Sequence, residues 1–407
     1  MRTADKHRRI RWTASAVAFW SWLLNLYGPF ALLFVLHRST GWPLALISSA
    51  VTLHFLVGAA GVMALPRLHR RMNAWATAAI AVVLSAVGIV CWSNCYNAWQ
   101  LIGVAIISGL GWALGSTAAI CALIAYLPAN ERTSGLAVAL NGATVAGIVG
   151  PALWLSLFSA FGTLCATLLV AGAACVALLP MLAACSIEGM ERNARLGELS
   201  SEDDMKDPGF HIRVTSLAAW RDPRVLYLLA AFAIASFAQI GVSAHLLVVI
   251  APIVDEFWSP VLVGAGLACA IAGRQIVVLL ERHATLHALA ATCFALMAVG
   301  TAALACSNSI GPLTAAVLAI GLASGAISLF YPLICHRDFR AHDAPRIIAL
   351  IAGCNQFALA LAPATIGLLY DAAGKYDLPL LVAAGLHAIS AMLLLSGRIW
   401  RSPTTTR

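Results

Sequence analysis

None of the 17 Asp and Glu residues of this 407-residue chain lies inside one of its long apolar stretches, and away from the ends of those stretches they hold one cation, Arg274. A guanidinium is planar, permanently charged and matched to a carboxylate through two parallel hydrogen bonds. Holding it in hydrocarbon costs at least ~2.5–3.5 kcal/mol unless it faces a cavity or a partner. Arg274 sits ~22 Å from the outer end of its stretch and ~9 Å from the inner end by helix rise. Gly266 and Ala270 precede it at four-residue steps, which reads as open volume beside the guanidinium. Two roles fit it: contact with an anionic substrate, or a structural role, with the side chain reaching the inner surface or pairing with Glu281.

Three histidines share the apolar stretches, His54, His245 and His387. Histidine is the side chain whose unperturbed pKa allows proton exchange near neutrality. With no carboxylate available there, His245 and His54 are the candidates for proton coupling; each reads equally as a neutral hydrogen-bonding group between helices, and His387 reads as packing. The uncharged candidates for contact with a polar solute are Asn25 and Tyr27, which precede a helix break at Gly28-Pro29, then Asn141, Gln239, Ser243, Ser328, Tyr331, Asn355 and Gln356. Interhelical hydrogen bonding is the alternative role for each of them.

The elements that must position these groups are twelve apolar stretches at 12–36, 43–65, 74–96, 98–127, 134–158, 163–185, 225–250, 259–280, 285–306, 312–335, 346–369 and 379–400. Each is long enough to cross ~30 Å of hydrocarbon as a helix, and open backbone cannot cross lipid. Of 25 Lys and Arg, only Arg38 and Lys375 fall in the odd-numbered gaps; the others lie at the chain ends, in the even-numbered gaps or, for Arg274, toward the inner end of its span. Such a bias keeps the basic side in the cytoplasm. The expectation is a multi-pass protein of the bacterial inner (cytoplasmic) membrane with both termini cytoplasmic. A composition 61% hydrophobic and 10% charged excludes a soluble globule. The net charge of +8 is spread over short loops facing anionic headgroups, so nucleic acid is not an expected partner. Among the 11 cysteines, Cys91 and Cys95 stand four apart, as metal ligands or, in the favoured reading, as packing. No metal, cofactor or nucleotide loop is expected: Gly109-Leu-Gly-Trp-Ala-Leu-Gly115 lies inside span 4, where Gly111 and Gly115 mark a close helix contact.

The fold class expected is an all-α membrane protein of twelve transmembrane helices in two pseudo-symmetric six-helix bundles. Its parts are a tail at 1–11, a first bundle at 12–185, a charged linker at 186–224, a second bundle at 225–400 and a tail at 401–407. Leu68-His-Arg-Arg-Met-Asn-Ala-Trp-Ala-Thr-Ala-Ala79 aligns without gaps to Leu280-Glu-Arg-His-Ala-Thr-Leu-His-Ala-Leu-Ala-Ala291, and Gly150-Pro151 answers Ala362-Pro363. Weak internal repeats of this kind build secondary transporters.

Over nearly its whole length the chain resembles the major facilitator superfamily, and within it the monocarboxylate transporter-like and oxalate/formate exchanger-like branch. The residues that carry the likeness are Gly41-Trp42-Pro43, Arg132-Thr-Ser-Gly-Leu-Ala-Val-Ala-Leu-Asn-Gly142, Ala238-Gln-Ile-Gly-Val-Ser-Ala-His245, Gly273-Arg274 and Tyr370-Asp-Ala-Ala-Gly-Lys-Tyr376. The resemblance implies that spans 1, 4, 7 and 10 line the transport cavity and that the arginine of span 8 binds substrate. It also implies a gating loop between spans 2 and 3, here Arg67, Arg70 and Arg71, with Arg282 in the second half. That loop, Leu65-Pro-Arg-Leu-His-Arg-Arg71, lacks the family's Asp. The carboxylate found one turn before the arginine in many monocarboxylate transporters is Ala270, and the lysine that oxalate exchangers carry in helix 11 is replaced by Asn355 and Gln356. Gly147-Ile-Val-Gly-Pro151 is similar to the antiporter signature of helix 5, but Trp154 and Leu155 stand where its closing glycines belong.

One positive charge suits a monoanion. The expected function is secondary active transport of a small organic anion, a monocarboxylate, by alternating access with proton symport; the protein is not an enzyme. Its expected partners are that anion, a proton or counter-anion, and the lipid bilayer, and a monomer is expected. Anion exchange or proton-driven export of drugs or metabolites is the alternative within transport. A transporter-derived sensor or a polytopic enzyme is the remote one.

Overall fold

The computed structural model describes residues 2–69, 71–197, 222–255, 257–340 and 343–396, and these are helical with no strand among them. Helix α1 (Arg2–Trp22) passes through one π turn (Leu23–Tyr27) into α2 (Gly28–Thr40). There follow α3 (Leu44–His69), α4 (Ala74–Trp92), α5 (Ala98–Leu114), α6 (Thr117–Ile124) and α7 (Ala129–Gly197). After residue 221 come α8 (Pro223–Val254), α9 (Trp258–Leu280), α10 (Leu286–Cys306), α11 (Ile310–Ser324), α12 (Ile327–Asp338), α13 (Ala344–Ala373) and α14 (Asp377–Ser396). Eleven helical runs among the described residues are long and apolar enough to cross a membrane. The run through α7 holds two of the expected spans, because Gly162 turns the chain at φ +75° with nothing near its Cα to fill the space. A 53-residue run taken straight would measure ~80 Å, far beyond the hydrocarbon thickness. The chain therefore has the twelve-span, all-α pattern read from its hydropathy.

Local chemistry accounts for the interruptions. Pro29 has no N–H and its ring would clash with the carbonyl four residues back. The helix accommodates it by widening, and Gly28 N–H donates to the Leu23 carbonyl in a π turn. The break expected at Gly28-Pro29 is thus a π turn, with helix continuing on both sides. Span 4 breaks at Gly115-Ser116 and span 10 at Gly325-Ala326. Helix starts are capped in the ordinary way: Asn73 accepts from Ala76 N (2.7 Å), Asn97 from Gln100 N (3.0 Å) and Thr285 from Ala288 N (3.3 Å). The start of the expected linker is helical, since α7 runs to Gly197; residues 198–221 lie outside the described residues.

By contacts the chain forms two compact units. The first comprises residues 1–32 and 53–211, and the second 33–52 and 212–407. In this division the hairpin joining spans 1 and 2 groups with the second unit. In the first unit, Ile10, Ala14, Val17, Trp75, Val82, Ile120, Leu123, Leu178 and Leu182 form a common core from α1, α4, α6 and α7. Arg11 holds the Glu131 carboxylate at 2.6 Å, with His7 at 3.1 Å, and ties the start of α1 to the start of α7. In the second unit, Phe232, Phe294, Met297, Phe330 and Ile334 centre one core, and Val242, Ile250, Leu313 and Leu380 another. Inside the same unit the hairpin is held by Ala45 N–H donating to Asp371 (3.1 Å) and by Ala364 N–H donating to Thr52 Oγ1 (3.0 Å).

The two units repeat one crossing. In the first, a Cβ on Gly109 would stand 2.5 Å from the His54 carbonyl, and one on Gly61 2.6 Å from the Ala113 methyl. In the second, a Cβ on Gly321 would overlap the Gly266 carbonyl, one on Gly325 the Ala270 carbonyl, and one on Gly273 the Leu322 carbonyl. His54 and Gly266, Gly61 and Gly273, and Gly109 and Gly321 are each 212 positions apart, the same offset as Leu68 and Leu280. The small residues beside Arg274 are therefore occupied in backbone-to-backbone contact between α9 and α11, which corrects the expectation of open volume along that face.

Candidate functional site

Arg274 is held by the break in span 10. Its Nε donates to the Gly325 carbonyl at 3.1 Å, at the point where α11 ends. The close approach of Gly273 and Ala270 to this segment brings the guanidinium within reach. Nothing else among the described residues bonds or pairs with it, and Glu281 is exposed with no ion pair to it. The side chain is anchored at the level of the Gly325 break, not drawn to the helix end, and its two terminal nitrogens stay available. That geometry leaves a planar two-donor face for one carboxylate.

Among the described residues, the other polar side chains expected in the second unit do not join Arg274 through hydrogen bonds. Gln239 and Ser243 are half-buried on α8. Tyr331 packs edge-on against Phe232, with ring centroids 5.8 Å apart, at the margin of a core. Asn355 is 9% exposed and its Oδ1 has no hydrogen-bond partner among the described residues; Gln356 beside it is half-buried. The side chain of Ser328 lies outside the described residues. An orphaned buried amide oxygen is costly unless a ligand or water meets it, which keeps Asn355 among the candidates.

His245 is satisfied at both nitrogens. Nε2 lies 3.0 Å from the Pro363 carbonyl, which can only accept, so this nitrogen carries the proton. Nδ1, 2.9 Å from Tyr376 Oη, then accepts from the hydroxyl. Protonation at Nδ1 would reverse that one bond by rotation of the Tyr376 hydroxyl, without breaking the network. Sequence reading did not single out Tyr376 or Pro363 as its partners; their spacing from His245, 131 and 118 residues, gives no local signal.

In the first unit, His54 Nδ1 lies 2.8 Å from Ser108 Oγ, which also accepts from Trp92 Nε1 at 3.0 Å. The His54 Nε2 is buried without a hydrogen bond of ordinary geometry, with the Asn25 backbone as polar neighbour. Asn25 is buried, donating through Nδ2 to Ser85 Oγ (2.8 Å) and to the Ser21 carbonyl (3.0 Å), while its Oδ1 and the Ser21 hydroxyl have no partner among the described residues. Tyr27 closes the π turn and packs near Gly150. Trp154, which stands in place of a signature glycine, donates from Nε1 to the Leu23 carbonyl of that turn at 3.0 Å. Gly111 and Gly115 do mark close contacts, with Ser85 and Ser21. Asn141 is exposed on the surface of the unit. His387 is fully buried, and among the described residues neither ring nitrogen makes a hydrogen bond of ordinary geometry, with the Ala383 backbone as polar neighbour. Cys95 donates to the Cys91 carbonyl at 3.2 Å, a packing arrangement, and no metal-holding cluster occurs among the described residues. Of the loop cations, Arg67, Arg71 and Arg282 are exposed and Arg70 lies outside the described residues.

Comparison with known proteins agrees on the architecture. The crystal structure of the nucleoside transporter NupG superposes with a TM-score of 0.72 at 11% identity, over 96% of this chain and 100% of that one. The D323A mutant of NupG gives 0.71 at 11% identity, over 95% of this chain and 99% of that one. At such identity the likeness is one of fold. No curated protein matches the sequence. The pattern of the Major Facilitator Superfamily matches residues 11–277, more than half of the chain. With a twelve-span, internally repeated helical fold behind that match, the chain belongs to the Major Facilitator Superfamily.

Proposed function

We propose that this transporter moves a small organic monoanion, a monocarboxylate, and that Arg274 is its anchor. The observation that carries the reading is the hydrogen bond from Arg274 Nε to Gly325, which fixes the guanidinium and leaves its two terminal nitrogens for a carboxylate. The absence of a membrane-embedded carboxylate next to it, with Ala270 one turn earlier, favours an anionic over a cationic solute. Entry of a bare monoanion against an inside-negative potential is opposed by ~2.3 kcal/mol per 100 mV. One co-transported proton removes that opposition, and the His245–Tyr376 pair, able to hold either protonation state by turning one hydroxyl, supports a proton carried by the protein. In this scheme the halves rock, and Arg274 is opened to each side in turn, with both termini in the cytoplasm. NupG is a nucleoside transporter, so a nucleoside belongs in the test as a rival substrate.

The test is uptake of radiolabelled lactate, pyruvate, formate and uridine into proteoliposomes, with and without an inward proton gradient. Saturable, gradient-stimulated uptake of a monocarboxylate, lost in Arg274→Ala, is expected. Uptake dependent on a preloaded anion would replace symport by exchange. Uridine uptake that survives Arg274→Ala would overturn the anion reading.

A further inference from the structure

A second group of polar residues, none of them shared with the surroundings of Arg274, lies in the first unit. The turn between α3 and α4 and the end of α6 border an open cavity of about 400 Å³ whose lining includes His69, Arg71, Asn73, Ala122, Ala125 and Tyr126. None of the described residues that line it is a carboxylate. Arg71 is exposed at its wall. Arg132, from the start of α7, donates from Nη2 to the Ala125 carbonyl (3.2 Å) and from Nε to the Leu127 carbonyl (3.1 Å), which sets a second guanidinium at the rim. The His69 Nε2 is fully buried and has no partner among the described residues. Burial holds the His69 imidazole below its usual range, which favours the neutral ring, so its contact with an anion is a hydrogen bond and not an ion pair. The Asn73 cap already occupies Ala76 N, so the donors left over are side chains.

Two guanidiniums, one orphaned imidazole nitrogen and the Tyr126 ring, around a cavity with no carboxylate among its described lining residues, match a tetrahedral oxyanion with several acceptor oxygens. The charge bias of the chain assigns this turn to the cytoplasmic side, where phosphate-bearing headgroups and soluble phosphates both occur. We propose that this cavity is a phosphate-group site, with Arg71 and Arg132 binding the anion and His69 donating a hydrogen bond to it.

The experiment uses the full-length protein in neutral detergent, titrated separately with dioctanoyl-phosphatidylglycerol, inorganic phosphate and dioctanoylglycerol, and read by native mass spectrometry and thermal shift. Arg71→Ala and Arg132→Ala are each expected to weaken binding at least tenfold. His69→Gln, which keeps an N–H donor, is expected to weaken it less than His69→Leu. Arg337→Ala, an exposed cation of the second half, is expected to leave binding unchanged. Binding of phosphatidylglycerol but not phosphate makes the site a lipid site; binding of phosphate as well makes it a general phosphate site. Failure of both to bind, equal binding of dioctanoylglycerol, or binding indifferent to Arg71→Ala and Arg132→Ala would overturn the proposal.

Discussion

At Asn73 and at Thr285, 212 positions apart, a side-chain oxygen caps the helix that begins span 3 or span 9. Two residues further along, the equivalent corners diverge. Trp75 faces Tyr126 with ring centroids 5.5 Å apart. At the matching positions His287 sets Nε2 3.3 Å from the Asp338 carboxylate, with side chains 2% and 23% exposed. Backbone demands explain what is shared: a cap, and a glycine crossing that tolerates no Cβ. Side-chain chemistry is free to differ above that frame. The second corner pairs its own histidine with a carboxylate, whereas the described residues lining the cavity of the first include Arg71 and no carboxylate. Duplication fixed the scaffold and left each copy to acquire its own charges.

The comparison breaks or sharpens first at Arg274. Its counterpart in the first half is Val62, so the guanidinium proposed as the anion anchor belongs to one copy only. Arg274→Ala should cut saturable monocarboxylate uptake at least ~30-fold, from the ~2–5 kcal/mol that losing one partner of a buried charge pair costs. Arg274→Lys should keep part of the activity, and Val62→Ala should leave uptake near the starting level.

Next come the crossings. Gly109→Val and Gly321→Val should each destabilise by about 1–3 kcal/mol, because each new side chain meets backbone that cannot swing away. Gly103→Val, on α5 where nothing stands within 4 Å, should melt with the parent. Equal losses at Gly109 and Gly321 would support the shared frame, and an indifferent Gly321→Val would break it.

The ion pair should matter less. Asp338→Asn should lower the melting temperature, and adding His287→Leu should recover part of the loss, since a buried histidine without its carboxylate is worse than a packed leucine. The smallest effect lies in the caps. Asn73→Ala and Thr285→Ala should each cost about 1 kcal/mol, visible as faster hydrogen exchange in the first turns of α4 and α10. Asn73 should cost the more, because its amide also donates to Ser186 Oγ at 3.0 Å.

Much of the fold is legible because hydrocarbon imposes one rule on every span: twenty apolar residues announce themselves whatever they pack against. The duplicated loops at 68–79 and 280–291 are legible for the same reason, as their caps and helix starts are local. The breaks at Gly115-Ser116 and Gly325-Ala326 are not, since a glycine beside a serine in an apolar run signals close packing as readily as a break. Arg274 stands out by charge alone, but the carbonyl that orients it is 51 residues away and is exposed only because α11 ends there. His245 likewise shows its side-chain type and hides its partners. The small-residue face of α9 was ambiguous in principle: glycine at four-residue steps describes both a cavity and a tight crossing, and only the neighbouring helix decides.

Residues 33–52 belong with the second unit, and Ala45 meets Asp371 across 326 positions of chain. A ribosome releases that hairpin long before the residues that bind it exist. The first half must therefore enter the membrane with the end of one span and the start of the next still lacking their final neighbours, and its assembly stays open until span 11 arrives. Long-range closure of this kind is slow and leaves early segments exposed to wrong partners. Cutting the gene at the central linker would yield two fragments that each lack a finished surface, and neither product is complete until its sister is made.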